Sequence, residues 1–224
     1  MKIKYNIVYS RRRSIGIIVS PDKGVVVRAP YRASLKTIDR FVREKADWIR
    51  KHTERFSGIT QLNHDKLYTD GEIHLYMGRE HILKISPSSQ SYVNQYDNII
   101  EVGSDGKEGR VKMLLDRWYM KKAEEKFSAK LKEILIRYKE YNFSPSKLAV
   151  RSLKSRWGSC TSKGKITISS ELAKLEERLI DYVIIHELCH LKYHNHGKGY
   201  YHLLEMLVPD YKAIRKELRK YITK

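Results

Sequence analysis

Residues 181–191 read DYVIIHELCHL. This stretch is the most informative part of the sequence for both the fold class and the chemistry of the protein. The apolar positions around it recur at helical spacing. They are Ile180, Val183, Ile184, Leu188 and Leu191. His186 and His190 are four residues apart, so both imidazoles lie on one face of the predicted helix and can reach a single ion. Because histidines in a buried helix are costly without a metal or polar partners, the stretch predicts a metal site.

Glu187 completes a His-Glu-x-x-His pattern with the two histidines. A zinc ion with one open coordination position lowers the pKa of a bound water towards neutrality, and an adjacent carboxylate can take the proton as the water attacks a carbonyl. The His-Glu-x-x-His spacing is typical of this chemistry. The sequence therefore predicts a zinc-dependent hydrolase with Glu187 as general base. A purely structural zinc site needs no carboxylate beside an open position.

A catalytic zinc site needs a third protein ligand, and the residues after the helix offer four candidates. They are His194, His196, His202 and Glu205. If the helix continued, His194 would lie roughly 12 Å along the axis from His186, too far to share one ion. The Asn195-His196-Gly197 segment predicts a turn, which lets His196 approach from the other side. Glu205 on the following helix is the alternative, and His202 is expected at the surface.

Periodicity along the chain predicts an α+β protein in two parts. A meander of short strands with one helix, from Ser34 to His52, predicts a mainly β region over residues 1–106. The Gly-Ser-Asp-Gly turn at 103–106 is the predicted boundary. Residues 107–224 are expected to contain a long helix from about Arg110 to Tyr141, a small antiparallel sheet and the helix that carries the two histidines.

The chain is strongly basic, with 45 Lys and Arg residues against 26 Asp and Glu, a formal net charge of +19 over 224 residues. Such a surplus attracts polyanions, so nucleic acid is a candidate partner, with Arg11, Arg12 and Arg13 as candidate contacts. A lysine-rich solvated surface explains the charge equally well, because no arginine-rich tail concentrates it.

Two cysteines, Cys160 and Cys189, exclude a disulfide scaffold and are expected to be free thiols in the core. The N-terminus has no apolar run typical of a signal peptide, and no stretch is long and apolar enough for a transmembrane helix. The chain is therefore expected to be cytoplasmic.

Several motifs, taken together, resemble the YgjP-like metal-dependent hydrolases, a family related to the SprT-like and WLM metallopeptidases. The residues that carry the resemblance are Arg156-Trp157-Gly158-Ser159-Cys160, Lys163-Gly164-Lys165-Ile166, the stretch 181–191, Asn195-His196, Pro209-Asp210-Tyr211 and, nearer the N-terminus, Arg11-Arg12-Arg13-Ser14, Arg28-Ala29-Pro30 and Trp48-Ile49. They span essentially the whole chain and are far more specific together than His-Glu-x-x-His alone.

The resemblance implies a zincin-like fold for residues 107–224 and one zinc ion per chain. It implies His186, His190 and His196 as the zinc ligands and Glu187 as the base. The chain departs from the family after the third histidine. There, Gly197 and Tyr200-Tyr201 stand where the family usually has a serine and a Phe-Trp pair.

Three further residues are predicted to contact the substrate. They are Arg156, Trp157 and Tyr200. The backbone of 156–160 would bind an extended peptide by strand addition while Arg156 stabilises a developing oxyanion. A tight turn at Gly158 with Trp157 and Cys160 buried is the alternative for this motif, and packing is the alternative for Tyr200.

Peptide-bond hydrolysis is the leading prediction, because the relatives by motif are proteases and no second set of metal-binding carboxylates is evident. Two alternatives stay open. A nucleotide or phosphoanhydride substrate would also suit the basic surface. A nucleic-acid-binding module with a structural zinc would leave Glu187 without a role.

Overall fold

The computed structural model describes residues 3–20, 24–56, 60–62, 66–153 and 155–222. The strands are β1 (Asn6–Ser10), β2 (Gly16–Ser20), β3 (Gly24–Pro30), β4 (Thr60–Gln61), β5 (Ile73–Tyr76), β6 (Arg79–Pro87), β7 (Tyr92–Tyr96), β8 (Ile99–Ser104), β9 (Lys147–Arg151), β10 (Gly158–Cys160), β11 (Lys165–Ser169) and β12 (Tyr221–Ile222). The helices are α1 (Leu35–Glu44), α2 (Ala46–Phe56), α3 (Arg110–Arg137), α4 (Glu177–Cys189), α5 (Lys198–Leu207) and α6 (Tyr211–Leu218). The predicted α+β class is confirmed.

The described residues form two compact units. The first contains residues up to 64 together with 219–222, and the second contains residues 65–218. The boundary predicted at residue 106 therefore falls inside the second unit, where β5 to β8 belong with the helix that carries His186.

The first unit is a small sheet covered by two helices. Its strand order is β1-β3-β2, and alternate residues of β3 point into a core that also receives side chains from α1 and α2. β2 and β3 pair antiparallel, but β1 pairs parallel to β3, so the predicted meander is wrong for β1. A turn determines only the pairing of the two strands that it joins, and β1 occupies the edge of β3 that β2 leaves free.

The single helix predicted from Ser34 to His52 is two helices in the structure. Ser34 caps α1 as predicted, because its Oγ accepts a hydrogen bond from the N–H of Thr37 at 3.2 Å. The helix is interrupted at Lys45, where φ is −99° and ψ is 12°. Buried Val42 and Ile49 lie on either side of the break at a spacing that one continuous helix also satisfies, so periodicity does not reveal it.

The second unit contains two sheets, and the long helix α3 packs against strands of both sheets and against α4. One sheet has the order β5-β6-β8-β7, and the other has the order β10-β11-β9. One side of α3 is buried along its length, as its amphipathic pattern predicts. The buried residues are Leu115, Trp118, Tyr119, Ala123, Phe127, Leu131 and Ile134. No helix in the described ranges is both long and apolar enough to span a bilayer.

The sheet beside α4 is mixed, so the prediction of an antiparallel sheet is wrong for one of its strand pairs. β10 and β11 form an antiparallel hairpin, whereas β9 pairs parallel to β11. The turn after Cys160 joins these two strands, and the N–H of Gly164 donates to the carbonyl of Thr161 at 2.9 Å. β9 packs against α3, a contact between distant segments that no local pattern records.

Candidate metal centre

Most residues of α4 are buried, and its C-terminal end carries the predicted metal ligands. It packs against α3, α5 and α6 and against the edge strand β10. His186 lies in its last turn, and His190 directly follows its final residue. The chain then turns back through 191–197, which brings His196 to the two helix histidines, as the predicted turn requires.

The three histidines converge on one point. One nitrogen from each of His186, His190 and His196 lies within 4.8 Å of the other two. Nε2 of His186 is 3.3 Å from Nε2 of His196. Two ligands bound tetrahedrally to one zinc ion at 2.0–2.1 Å are themselves about 3.3 Å apart. The donor set and its spacing therefore fit a zinc ion with three imidazole ligands.

Hydrogen bonds hold two of the rings so that their Nε2 atoms remain available. Nδ1 of His190 lies 3.0 Å from the backbone carbonyl of Tyr193, a contact in which Nδ1–H donates. The Tyr200 hydroxyl lies 2.6 Å from Nδ1 of His186 and donates to the His186 carbonyl at 3.1 Å. Because the Tyr200 hydroxyl hydrogen is donated to the carbonyl, the second contact is one in which Nδ1–H of His186 donates to the Tyr200 oxygen. Such outer contacts fix the tautomer and orientation of metal-binding histidines.

His186 and His196 are held in the neutral form that binds metals. Burial lowers the pKa of His186 to about 3, assisted by the nearby charges of His190, His196 and Arg215. Burial, His190 and Arg215 also lower the pKa of His196. A neutral imidazole offers a lone pair, so at neutral pH no proton needs to be displaced from these rings before a metal binds.

Glu187 is a buried carboxyl, with 4% of its surface exposed. Burial raises its pKa to about 8, and the positive charge of Arg156 opposes that rise. A cation at the histidines would lower this pKa further. A group whose pKa lies near the working pH is suited to accept and return a proton.

Gly158 explains part of the Arg-Trp-Gly-Ser-Cys motif. It lies in β10 rather than in a tight turn, and the backbone of that strand closely approaches Glu187. A Cβ atom on residue 158 would lie 2.6 Å from Oε1 of Glu187 and 2.9 Å from its Cγ. Only a glycine lets β10 pack directly on the carboxyl side chain. The alternative of a turn at Gly158 is therefore wrong, and close packing is the reason for the residue.

Arg156 and Trp157 immediately precede β10, which is the edge strand of its sheet. Arg156 is exposed, and its charge acts on Glu187. Trp157 is half-buried, and its carbonyl accepts a hydrogen bond from the N–H of Ser169 at 2.8 Å. Tyr200 is fully buried, with its hydroxyl on His186. Contact of these three residues with a substrate stays a prediction.

The other candidate ligands lie away from the three-histidine cluster. Glu205 is exposed, and its carboxylate lies 3.5 Å from Nζ of Lys212. His202 is exposed on α5, as expected for a surface histidine. His194 is exposed and lines a separate polar cavity with Lys163 and Lys192.

The two cysteines are free, as the sequence predicts. Cys189 is buried in α4, and burial raises its pKa to about 12. Cys160 at the end of β10 is half-buried, and burial together with the charge of Glu187 raises its pKa. Both groups are therefore thiols at neutral pH.

The three consecutive arginines predicted to contact nucleic acid lie in the first unit and differ in exposure. Arg11 and Arg13 are exposed. Arg12 packs over Gly16, and its Nε is buried without a hydrogen-bond partner among the described residues. Only the outer two arginines present their side chains freely to solvent.

Sequence reasoning missed two contributions to the centre. The Tyr193 carbonyl that holds His190 has no sequence signal, because any residue supplies a carbonyl. Arg215 on α6 acts on His186 and His196 through its charge, and it donates to the Tyr201 hydroxyl at 3.5 Å. A single arginine in an amphipathic helix is indistinguishable from the solvated cations around it.

Comparison with known families gives one match that spans most of the chain. A sequence model described as YgjP-like, metallopeptidase domain, matches residues 13–221. The family resemblance noted from the motifs is thereby confirmed. No curated protein sequence matches the chain.

The solved structures that match over part of the chain include two crystal structures of metallopeptidase zymogens. Abylysin of Pyrococcus abyssi is 24% identical, and the match covers 41% of this chain and 90% of that one with a TM-score of 0.37. Jannalysin of Methanocaldococcus jannaschii is 23% identical, with 42% and 91% covered and a TM-score of 0.35.

Proposed function

The chain belongs to the YgjP-like family of metallopeptidase domains, and from this we propose that it is a zinc-dependent peptidase. In this proposal His186, His190 and His196 bind one zinc ion per chain, and Glu187 is the general base. The observation that carries it is the convergence of three imidazole nitrogens within 4.8 Å of one another on a helix that also holds a buried carboxyl.

Each residue of the centre has a defined part in hydrolysis. His186, His190 and His196 would hold a zinc ion, which would supply Lewis-acid chemistry to the scissile carbonyl and to a bound water molecule. The Glu187 carboxylate accepts the proton of the attacking water and returns it to the leaving amine. Tyr200 holds His186 in the orientation that directs Nε2 towards the metal. Burial of Glu187 strengthens the electrostatic interactions at the site.

Within the described residues β10 pairs only with β11, and its other edge is the proposed binding surface for the substrate. An extended peptide would pair with this edge as an added strand, and its scissile bond would lie near Glu187 because β10 packs on that side chain. The exposed guanidinium of Arg156, close enough to influence Glu187, would stabilise negative charge that develops on the carbonyl oxygen.

The proposal is tested by separating metal binding from hydrolysis. We expect Glu187→Gln to keep its zinc and its melting temperature but to lose nearly all cleavage of an unfolded protein, because an amide cannot accept the proton. His186→Ala and His196→Ala should lose stoichiometric zinc, measured by elemental analysis. Glu205→Gln is the matched control and should retain both zinc and activity.

Two outcomes would contradict the proposal. Cleavage by Glu187→Gln at the wild-type rate would exclude Glu187 as the base. Zinc-loaded wild-type protein that hydrolyses nucleoside triphosphates but leaves unfolded proteins intact would favour the nucleotide hydrolase over the peptidase.

A further inference from the structure

A groove between β7 and α3 lies in the second unit, and none of its lining residues belongs to the metal centre. It runs along the free edge of β7, and α3 forms its other wall, with a volume of about 610 Å³. The strand side consists of Ser91 and every residue of β7, and the helix side consists of Leu114, Arg117, Trp118, Lys121 and Lys122.

The strand wall of the groove presents unpaired backbone groups. β7 ends the strand order β5-β6-β8-β7, and within the described residues it pairs only with β8. Tyr96 and Ile99 flank a two-residue turn and are directly opposite each other, so the turn hydrogen bond joins them. Because hydrogen-bonded and non-hydrogen-bonded pairs alternate, Val93 and Gln95 direct their N–H and C=O groups to the free edge.

The helix wall is cationic above an apolar floor. Leu114 is half-buried and Trp118 is buried at the base. Arg117 and Lys121 are exposed one turn apart, and neither pairs with a carboxylate in the described part of the chain. Lys122 lies 3.7 Å from Glu125. The groove therefore carries a positive charge that its own residues neutralise only in part.

We propose that this groove binds an extended acidic segment of another protein as a strand added to β7. The free backbone edge provides hydrogen bonds to a peptide main chain, and the cations provide partners for its carboxylates. β7 has five residues and is about 17 Å long. This length is enough for a short peptide strand to pair with it and to direct alternate side chains towards the groove. Binding here is independent of the proposed peptidase activity, since no metal-centre residue lines the groove.

A peptide fits the groove better than a nucleic acid strand does. Of the aromatic rings that line the groove, Trp118 is buried at the base, and the two tyrosines of β7 contact residues of the sheet itself. The Tyr92 ring lies where a side chain on Gly103 would lie, and the Tyr96 hydroxyl donates to Glu101 at 3.4 Å. A nucleic acid would also leave the backbone donors and acceptors of the β7 edge unpaired.

The binding test uses the full chain carrying Glu187→Gln, so that no substrate is cleaved. Fluorescence anisotropy is measured with a labelled peptide that alternates Glu and Val, with its Lys-Val counterpart and with oligo-dT. We expect the acidic peptide to bind and the lysine peptide not to bind. If oligo-dT displaces the acidic peptide and Gln95→Pro leaves both unaffected, the groove binds nucleic acid and the proposal is overturned.

Variants distinguish strand addition from general charge attraction. Arg117→Glu with Lys121→Glu should weaken binding by about tenfold or more. Lys126→Glu with Lys132→Glu makes the same charge change on exposed residues of α3 outside the groove, and binding should hardly change. An equal loss of peptide binding in both double variants would overturn the proposal. Failure of the wild-type groove to bind the acidic peptide would also overturn it, and the cations would then serve to prevent strand pairing between protein molecules at this edge.

Gln95 provides a test of the backbone contact. Gln95→Pro removes an N–H that faces the free edge, where proline is tolerated, and should weaken binding, whereas Gln95→Ala keeps the N–H and should bind normally. Equal binding by the two variants would exclude strand addition. If Gln95→Pro does not fold, the paired charge reversals on α3 decide the outcome.

Discussion

Replacing Gly158 with alanine tests the close packing of β10 on the general base. The added Cβ would lie 2.6 Å from Oε1, 2.9 Å from Cγ and 3.0 Å from Cδ of Glu187. Carbon atoms are at their optimal separation at roughly 3.5–4.0 Å, so Glu187 or the strand must move by about 0.6 Å or more. The carboxyl is buried, and it cannot retreat into solvent as an exposed side chain does.

The displacement should affect catalysis more than stability. A shift of about 1 Å in a catalytic group costs on the order of 100-fold in rate, so we expect Gly158→Ala to lose between about 10-fold and 100-fold in kcat/KM. Overpacking costs roughly 1–3 kcal/mol, and the gain from a less flexible unfolded chain offsets about 0.4–1 kcal/mol of this. For a chain of this size, the melting temperature should fall by less than about 10 °C.

The assay measures kcat/KM on an unfolded protein well below the melting temperature, with zinc content determined on the same sample. Zinc should remain stoichiometric, because Gly158 contacts no histidine among its nearest atoms. Gly16→Ala is the matched control in strand β2. Its Cβ would meet only the guanidinium of Arg12, the end of a flexible side chain, so activity should be unchanged. A Gly158→Ala enzyme within twofold of wild type would refute the reasoning.

Three further predictions address the supports of the site and the charge of the chain. Tyr200→Phe removes the hydroxyl that holds His186, so zinc affinity measured by chelator competition should fall by about 10–100-fold, and an unchanged affinity would rule out this role. Arg156→Gln removes a charge that lowers the pKa of Glu187, so the rise of kcat/KM with pH should move to higher pH, while Arg156→Lys holds it in place. Equal profiles for the two Arg156 variants would show that its charge does not act on the base. Neutralising the three consecutive arginines of the first unit should reduce the slope of log DNA affinity against log salt concentration by about two, because two of these arginines are exposed. The slope is measured by anisotropy with unrelated oligonucleotides. These arginines are Arg11, Arg12 and Arg13. An unaltered slope would place any DNA contact elsewhere.

The sequence alone determined the elements whose geometry is local. Four-residue spacing places His186 and His190 on one helix face because an α-helix turns every 3.6 residues, whatever it packs against. The buried character of α4, the α+β class and the Ser34 cap follow from the same short-range rules. Motifs spread along the chain also sufficed to indicate the YgjP-like family.

Tertiary structure decided every feature that joins distant segments. Residue reasoning left His196 and Glu205 as candidates for the third ligand, and the loop after α4 is what carries His196 to the other two histidines. Gly158 meets Glu187 because β10 packs on α4, and β9 pairs in parallel with β11 in a sheet that α3 and α4 contact. Such contacts form when apolar surfaces of separate segments are buried together. The periodicity of one segment does not predict which other segment it packs against.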